Sequence, residues 1–191
     1  MKQFIFTLLV YTFLNNIILT TGFGFSVMMR TARTRGNILP FSILLCIFAV
    51  LTMAICYPID HFVSRDLLSI RWLRPLAVII VTALLYFGVR FFLGKFMPAI
   101  SERVTRILPA TAFNNLVIGI CIMVYMHYSL TFPIAIATAI GSSLGFLLLS
   151  WLTAEGMERL DNPDVPKAFR GLPSAFIYLG LLALATMGWQ L

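Results

Sequence analysis

Charge is what this sequence has least of. Only 11% of its 191 residues are Asp, Glu, Lys or Arg, and just seven are acidic. A soluble domain carries roughly 25% charged residues. A chain this poor in charge and 60% hydrophobic cannot wrap a wetted surface around a core of its own, so a bilayer must solvate it. The seven carboxylates, Asp60, Asp66, Glu102, Glu155, Glu158, Asp161 and Asp164, all fall outside the apolar runs. An intramembrane carboxylate is a common relay for protons or sodium, and its absence argues against this chain pumping ions alone. Coordination by Asn side chains, by the hydroxyls of Thr20, Thr21 and Ser26, or by backbone carbonyls stays open. His61 and His127 are dispersed and make a poor metal site. No Ser/His/Asp constellation, phosphate-binding glycine loop or metal-ligand spacing is present. Alternating strand patterns are missing too, which excludes a membrane β-barrel.

Cysteine is scarce: Cys46, Cys56 and Cys121. The first two share one helical run. At ~1.5 Å per residue they stand ~15 Å apart, beyond disulfide reach. All three read as small packing residues.

What is present is apolar length. Runs at roughly 4–25, 40–59, 75–97, 108–128, 132–152 and 172–190 each approach the ~20 residues of a membrane helix. Six spans leave only short loops and a single membrane domain, 1–191. The first run is long and has no small-x-small cleavage site after it, so it reads as a span, with a cleaved signal as the lesser alternative. The net charge of +7 is not a nucleic-acid signal. Ten Lys/Arg fall on one side of the six-span arrangement and four on the side of the termini. The ten mark the cytoplasm, and both termini are expected to face outward. Arg90 lies inside the third run and either snorkels to the interface or meets a buried partner. The basic loop "TARTRGN" at 31–37 is a topology signal or a docking site for a cytoplasmic partner or anionic lipid. "IGSSLGF" at 140–146 offers a small-residue face for close helix packing.

The internal repeat is the most informative feature. "FLNNIIL" at 13–19 returns as "FNNLVIG" at 113–119, with Asn114 following Asn15 by 99 positions (114 − 15). Pro40 and Pro133 open the second and fifth runs, 93 apart, and Pro75 and Pro173 open the third and sixth, 98 apart. Three landmarks in order suggest two copies of a three-helix unit, about 1–100 and 101–191. An odd number of spans inserts the second copy the other way up, the inverted repeat of many transporters. The expected fold is all-α and integral to the membrane: six transmembrane helices as two inverted three-helix repeats whose first helices are broken. Backbone exposed at a break needs partners that lipid does not supply, and Asn offers a donor and an acceptor. Asn15, Asn16, Asn114 and Asn115 are thus interhelical glue or the lining of a cofactor or ion path.

The chain resembles the six-helix membrane subunits of the Rnf and Nqr ion-translocating electron-transport complexes, in the branch of the Rnf A and Nqr E subunits. "NNIIL" with "GFGF" at 22–25, "ILPATAFNNLVIG" at 107–119, "DVPKAFRGLP" at 164–173 and "GLLALATMGW" near the end carry the likeness, which spans the chain. The resemblance implies an inner-membrane subunit, bacterial, paired with a homologous subunit inserted the other way up and joined by further members of the complex. In that family each of the pair gives two cysteines to a shared 2Fe-2S iron–sulfur cluster. The positions that match those cysteines hold Ser26 and Asn115 here. The expectation is therefore a subunit of such a complex or a cluster-free derivative, with Asn15, Asn16, Ser26, Asn114 and Asn115 forming the central site. A small-molecule or ion transporter on the same repeat, or an anchoring scaffold, are the alternatives.

Overall fold

The computed structural model describes residues 2–62, 73–96, 98–126, 131–160, 166 and 169–188. The described residues are helical and include no strand. Helix α1, Lys2–Leu9, runs on into a π-helical turn, Val10–Leu14. Two short helices follow, α2 (Ile17–Thr21) and α3 (Phe25–Ala32), then a 3₁₀ turn at Arg35–Asn37. The long helix α4 covers Ile38–Phe62 and α5 covers Leu73–Phe96. In the second half come α6 (Pro98–Ala112), α7 (Asn115–Met126), α8 (Phe132–Leu160) and α9 (Leu172–Met187). Among the described residues, four stretches are long and apolar enough to cross a bilayer: Arg35–Ile59, Pro75–Lys95, Val104–Val124 and Phe132–Leu160. Lys2–Leu14 and Leu172–Met187 are apolar but shorter. The protein is an all-helical, multi-span membrane protein.

Helices α4 and α8 pack face to face at the centre. Helix α8 can approach closely because its inner face is small: Ala135, Ala139, Ser142, Ser143 and Gly145 are all buried. Its buried hydroxyls turn back onto their own helix. Thr138, Ser142 and Ser143 donate to the carbonyls of Ile134, Thr138 and Ala139 at 3.0, 2.7 and 2.8 Å, so no polar group is left facing hydrocarbon at those positions. Larger side chains fill the rest, with the rings of Phe41 and Phe146 stacked at 5.5 Å.

The other helices are arranged crosswise. Helix α1 and its π turn lie on α8, in the other half of the chain, while α6 and α7 lie on α4. Each half's last helix stays with its own central helix: α5 on α4, α9 on α8. The central helices also share a phase. Leu39, Ile43, Ile47, Leu51 and Ile55 form an exposed stripe on α4. Adding 93 gives Phe132, Ile136, Ile140, Leu144 and Leu148, which are exposed or half-exposed on α8. An apolar stripe left outside at a spacing of four is what lipid or a partner helix covers.

At one end of the bundle Arg35 pairs with Glu155 at 3.2 Å and also with Glu158. Within the basic stretch 31–37, Thr31 and Ala32 finish α3, and Arg35–Asn37 make the 3₁₀ turn that carries this contact. Arg90 is exposed on α5 and donates to the hydroxyl of buried Tyr86 at 3.1 Å. His127, Asp66, Asp161 and Asp164 lie outside the described residues, as do the side chains of Asp60, His61 and Glu102.

Candidate functional site

Both halves break where the sequence places an amide pair, and the break is built by the amides themselves. The π turn ends as Asn15 N–H bonds Val10 O at 2.7 Å, one residue beyond the α-helical partner. Asn15 then leaves helical geometry (φ −99°, ψ 54°) and Asn16 is extended (φ −69°, ψ 115°). Asn16 is the N-cap of α2: its Oδ1 accepts from Ile18 N at 3.0 Å, and its Nδ2 donates to Thr12 O at 3.3 Å. An Asn at this place satisfies an N–H that the new helix would otherwise leave bare. With 2% of its surface exposed, Asn16 has no water to fall back on.

The second break repeats this chemistry. Asn114 precedes α7, and its Oδ1 accepts from Leu116 N at 3.0 Å. The equivalent amides are therefore Asn16 and Asn114, 98 apart, the spacing of Pro75 and Pro173; the offset of 99 expected from Asn15 is one too long. One difference stands out. The Nδ2 of Asn114 is buried and has no hydrogen-bond partner.

The first half holds a further break, whereas α7 in the second runs unbroken from Asn115 to Met126. Helix α2 ends after five residues at Gly22, which is left-handed (φ 74°), and Gly24 is left-handed again (φ 77°) before α3 begins. Gly24 is where the first half's second break meets the second half's break. A Cβ placed on it would lie 3.0 Å from Leu116 Cβ and 3.1 Å from Asn114 Oδ1. Asn114 thus shares its capping role with Asn16 and its location with Gly24. The first amide pair instead meets α8: a Cβ on Gly145 would lie 2.5 Å from Asn16 Nδ2. Thr12 belongs to the same contact, its hydroxyl 2.8 Å from Leu8 O and 3.2 Å from Gly141 O. Its signal in the sequence is a hydroxyl one turn before the amide pair.

The five residues singled out from the sequence divide by exposure. Asn16 and Asn114 are buried and Asn15 is half-buried. Ser26 and Asn115 are exposed, each within two residues of the Gly24–Asn114 contact, at the start of α3 and of α7. Phe113, next to Asn114, packs its ring 5.4 Å from that of Tyr86, which ties the second break to α5.

Positions 26 and 115 are those that the resemblance matches to the family's cluster ligands. A hydroxyl and a carboxamide do not fit that group, which is held by thiolates or, in one class, thiolates with imidazoles. No cysteine stands at either break. Cys46 and Cys56 are on α4 and Cys121 is in α7, and the described residues hold no group of three or more His, Cys, Asp or Glu.

Comparison with known proteins agrees with the architecture. A family model described as "Rnf-Nqr subunit, membrane protein" matches residues 4–191. The A subunit of the ion-translocating oxidoreductase complex of Rhodobacter capsulatus is 28% identical over 189 residues, 99% of this chain and 97% of that protein. The A subunit of the Na(+)-translocating ferredoxin:NAD(+) oxidoreductase complex of Acetobacterium woodii is 28% identical over 186 residues, 97% of this chain and 96% of its own length. The A subunit of the ion-translocating oxidoreductase complex of Aromatoleum aromaticum is 29% identical over 189 residues, again at 98% and 96% coverage.

Proposed function

We propose, from the premise that this chain belongs to the Rnf-Nqr family of membrane subunits, that it fills the place of the A subunit in such a complex without carrying an iron–sulfur cluster at the family's ligand positions. That it is a membrane subunit of an Rnf/Nqr-like complex rests on the family match and on full-length relatives so named. The finer reading is ours. The chain is two inverted repeats, about 1–100 and 101–191, and pairs in a bacterial inner membrane with a homologous subunit of opposite orientation. Asn15, Asn16, Ser26, Asn114 and Asn115 make its half of the central site. Ser26 and Asn115 face the partner; Asn16 and Asn114 hold the broken backbone in place.

The observation that carries this reading is the exposure of Ser26 and Asn115 beside the Gly24–Asn114 contact. A site shared across an interface must be open on one flank in the separate subunit, and these two residues are. Their side chains then contribute hydrogen bonds where the family's cysteines contribute thiolates. The test is to purify the protein with its neighbours and assay iron, acid-labile sulfide and a redox-sensitive visible spectrum. We expect none from this chain or its partner interface. A Ser26→Cys/Asn115→Cys double variant should raise iron and sulfide together in the co-purified pair. Stoichiometric iron and sulfide in the unaltered pair would overturn the reading.

A second reading is a solute or ion transporter on the same repeat. The unpartnered Nδ2 of Asn114 favours it, because a buried donor at a helix break is poised for an acceptor. Solute accumulation by liposomes holding the protein, with no redox partner in the purified material, would select it.

A further inference from the structure

A groove of about 510 Å³ runs between the first helix and α8. Leu9 and Phe13 stand on one wall, and Leu144, Leu148, Trp151 and Leu152 on the other. Its lining is apolar apart from Thr12, whose hydroxyl is already spent on Leu8 O and Gly141 O. Leu144 to Leu152 is eight residues (152 − 144), ~12 Å of helix. That is close to half of a ~30 Å hydrocarbon core. The groove thus has the length of one leaflet, which suits a single acyl chain better than a helix that crosses the whole membrane. One end of it is charged. One more turn along the same face of α8 brings Glu155 and Glu158, the two carboxylates that meet Arg35. Beside Glu158 a second cavity, of about 550 Å³, is lined by Arg33, Arg35 and Glu158 with Ala32, Ala154 and Gly171. The two spaces share a wall: Leu147 lines the groove and packs against the cluster of Ala32 and Ala154. Exposed Trp151 marks the charged end of the groove, as Trp does at a membrane interface.

We propose that groove and cavity together bind one phospholipid with an aminoethyl phosphate headgroup, phosphatidylethanolamine. One acyl chain lies in the groove, the phosphate takes Arg33 and Arg35, and the ammonium takes Glu155 and Glu158. The charges at the mouth select this headgroup. Two arginines face two carboxylates there, so a headgroup with one charge of each sign finds a partner for both. Phosphatidylglycerol, an anion alone, would set its phosphate beside two carboxylates. Phosphatidylcholine carries both charges, but its quaternary ammonium has no N–H to donate to a carboxylate. The mouth can also open to a headgroup. Arg33 is exposed and makes no ion pair with a described residue. The side chains of Arg35, Glu155 and Glu158 are roughly half-exposed or more, so their pairing is weak and readily exchanged.

The site rests neither on the cluster-free reading nor on which way up the chain sits. Trp72→Phe/Trp189→Phe leaves Trp151 as the sole tryptophan of the full-length chain. In phosphatidylcholine liposomes its fluorescence would be followed as acyl-brominated phosphatidylethanolamine, phosphatidylglycerol or phosphatidylcholine replaces the unlabelled lipid. We expect phosphatidylethanolamine to reach half-maximal quenching at a roughly fivefold lower mole fraction than the other two, the effect of one or two exposed ion pairs. Arg33→Gln/Arg35→Gln should bring it to the level of phosphatidylcholine. Glu155→Gln/Glu158→Gln should turn the preference to phosphatidylglycerol, a gain that a misfolded protein would not show. Four outcomes would overturn the proposal. Equal quenching by the three lipids would mean a lipid coat without a site. Preference of the unaltered mouth for phosphatidylglycerol would mean a site for anions alone. Trp151 unquenched by all three would mean that protein covers the groove. The fourth is a Glu155→Gln/Glu158→Gln variant that still prefers phosphatidylethanolamine.

Discussion

Position 24 leaves no room for a side chain. Its φ of 77° is one that L-residues avoid, and a Cβ there would press on Leu116 and Asn114 at once. Gly24→Ala should therefore cost about 1–3 kcal/mol from backbone strain, with the clash added. The thermal midpoint in detergent would fall, whereas Gly36→Ala, where a Cβ meets nothing within 4 Å, would leave it unchanged. The amide pair divides in the same way. Asn16→Ala removes a cap and strands the Ile18 N–H in a buried place, a loss of about 1–2 kcal/mol. Asn15→Ala, at a half-buried residue that closes the π turn through its backbone N–H, which alanine keeps, should stay within about 0.5 kcal/mol. Equal losses at 15 and 16 would sink the assignment of the cap to Asn16. Composition alone pointed to both pairs, because an amide in a lipid-facing run needs a reason. It could not say which member faces inward, since that depends on where the helix restarts, and neighbouring identical residues carry no such signal.

Helices α4 and α8 were legible from apolar length, and their 93-residue register from one proline each. The break of the first run at its amide pair was legible too, but the second break that follows it was not. Hydrophobic side chains continue through Ile17, Ile18, Leu19, Phe23 and Phe25, because core and lipid both accept them whether the backbone is helical or turned. Only Gly22 and Gly24 encode the second break, and glycine within a membrane helix has commoner uses. Gly145 is one of those uses. A Cβ there would intrude to 2.5 Å of Asn16 Nδ2 and 3.3 Å of Thr12 O. Gly145→Ala should push the π turn off α8 and cost about 1–3 kcal/mol. Gly180→Ala, on the open side of α9, should gain up to about 1 kcal/mol from helix propensity. Thermal midpoints of the two variants that moved together would refute a contact role for Gly145. The Arg35 contact with Glu155 and Glu158 is a different kind of link. All three side chains are roughly half-exposed or more, so Arg35→Gln should cost less than about 1 kcal/mol.

For the whole molecule, the question is which way up it sits. Arg35 touching Glu155 and Glu158 puts the 33–37 turn and the end of α8 at one end of the bundle. That end gathers Arg30, Arg33, Arg35 and Arg159. Lys and Arg near span ends are retained in the cytoplasm, while acidic residues weigh little in the balance. The Arg35 ion pairs therefore do not cancel the signal. With an even number of spans, both termini are then expected on the outer side. The expectation can be read with paired reporters in a bacterial host. Alkaline phosphatase fused after Leu191 should be active and green fluorescent protein at the same place dark. Both reporters inserted after Arg35 should give the reverse. Inverted results at both places would mean that the charge asymmetry does not orient this chain. The partner proposed for it would then have to be sought among those of the opposite insertion to the one expected.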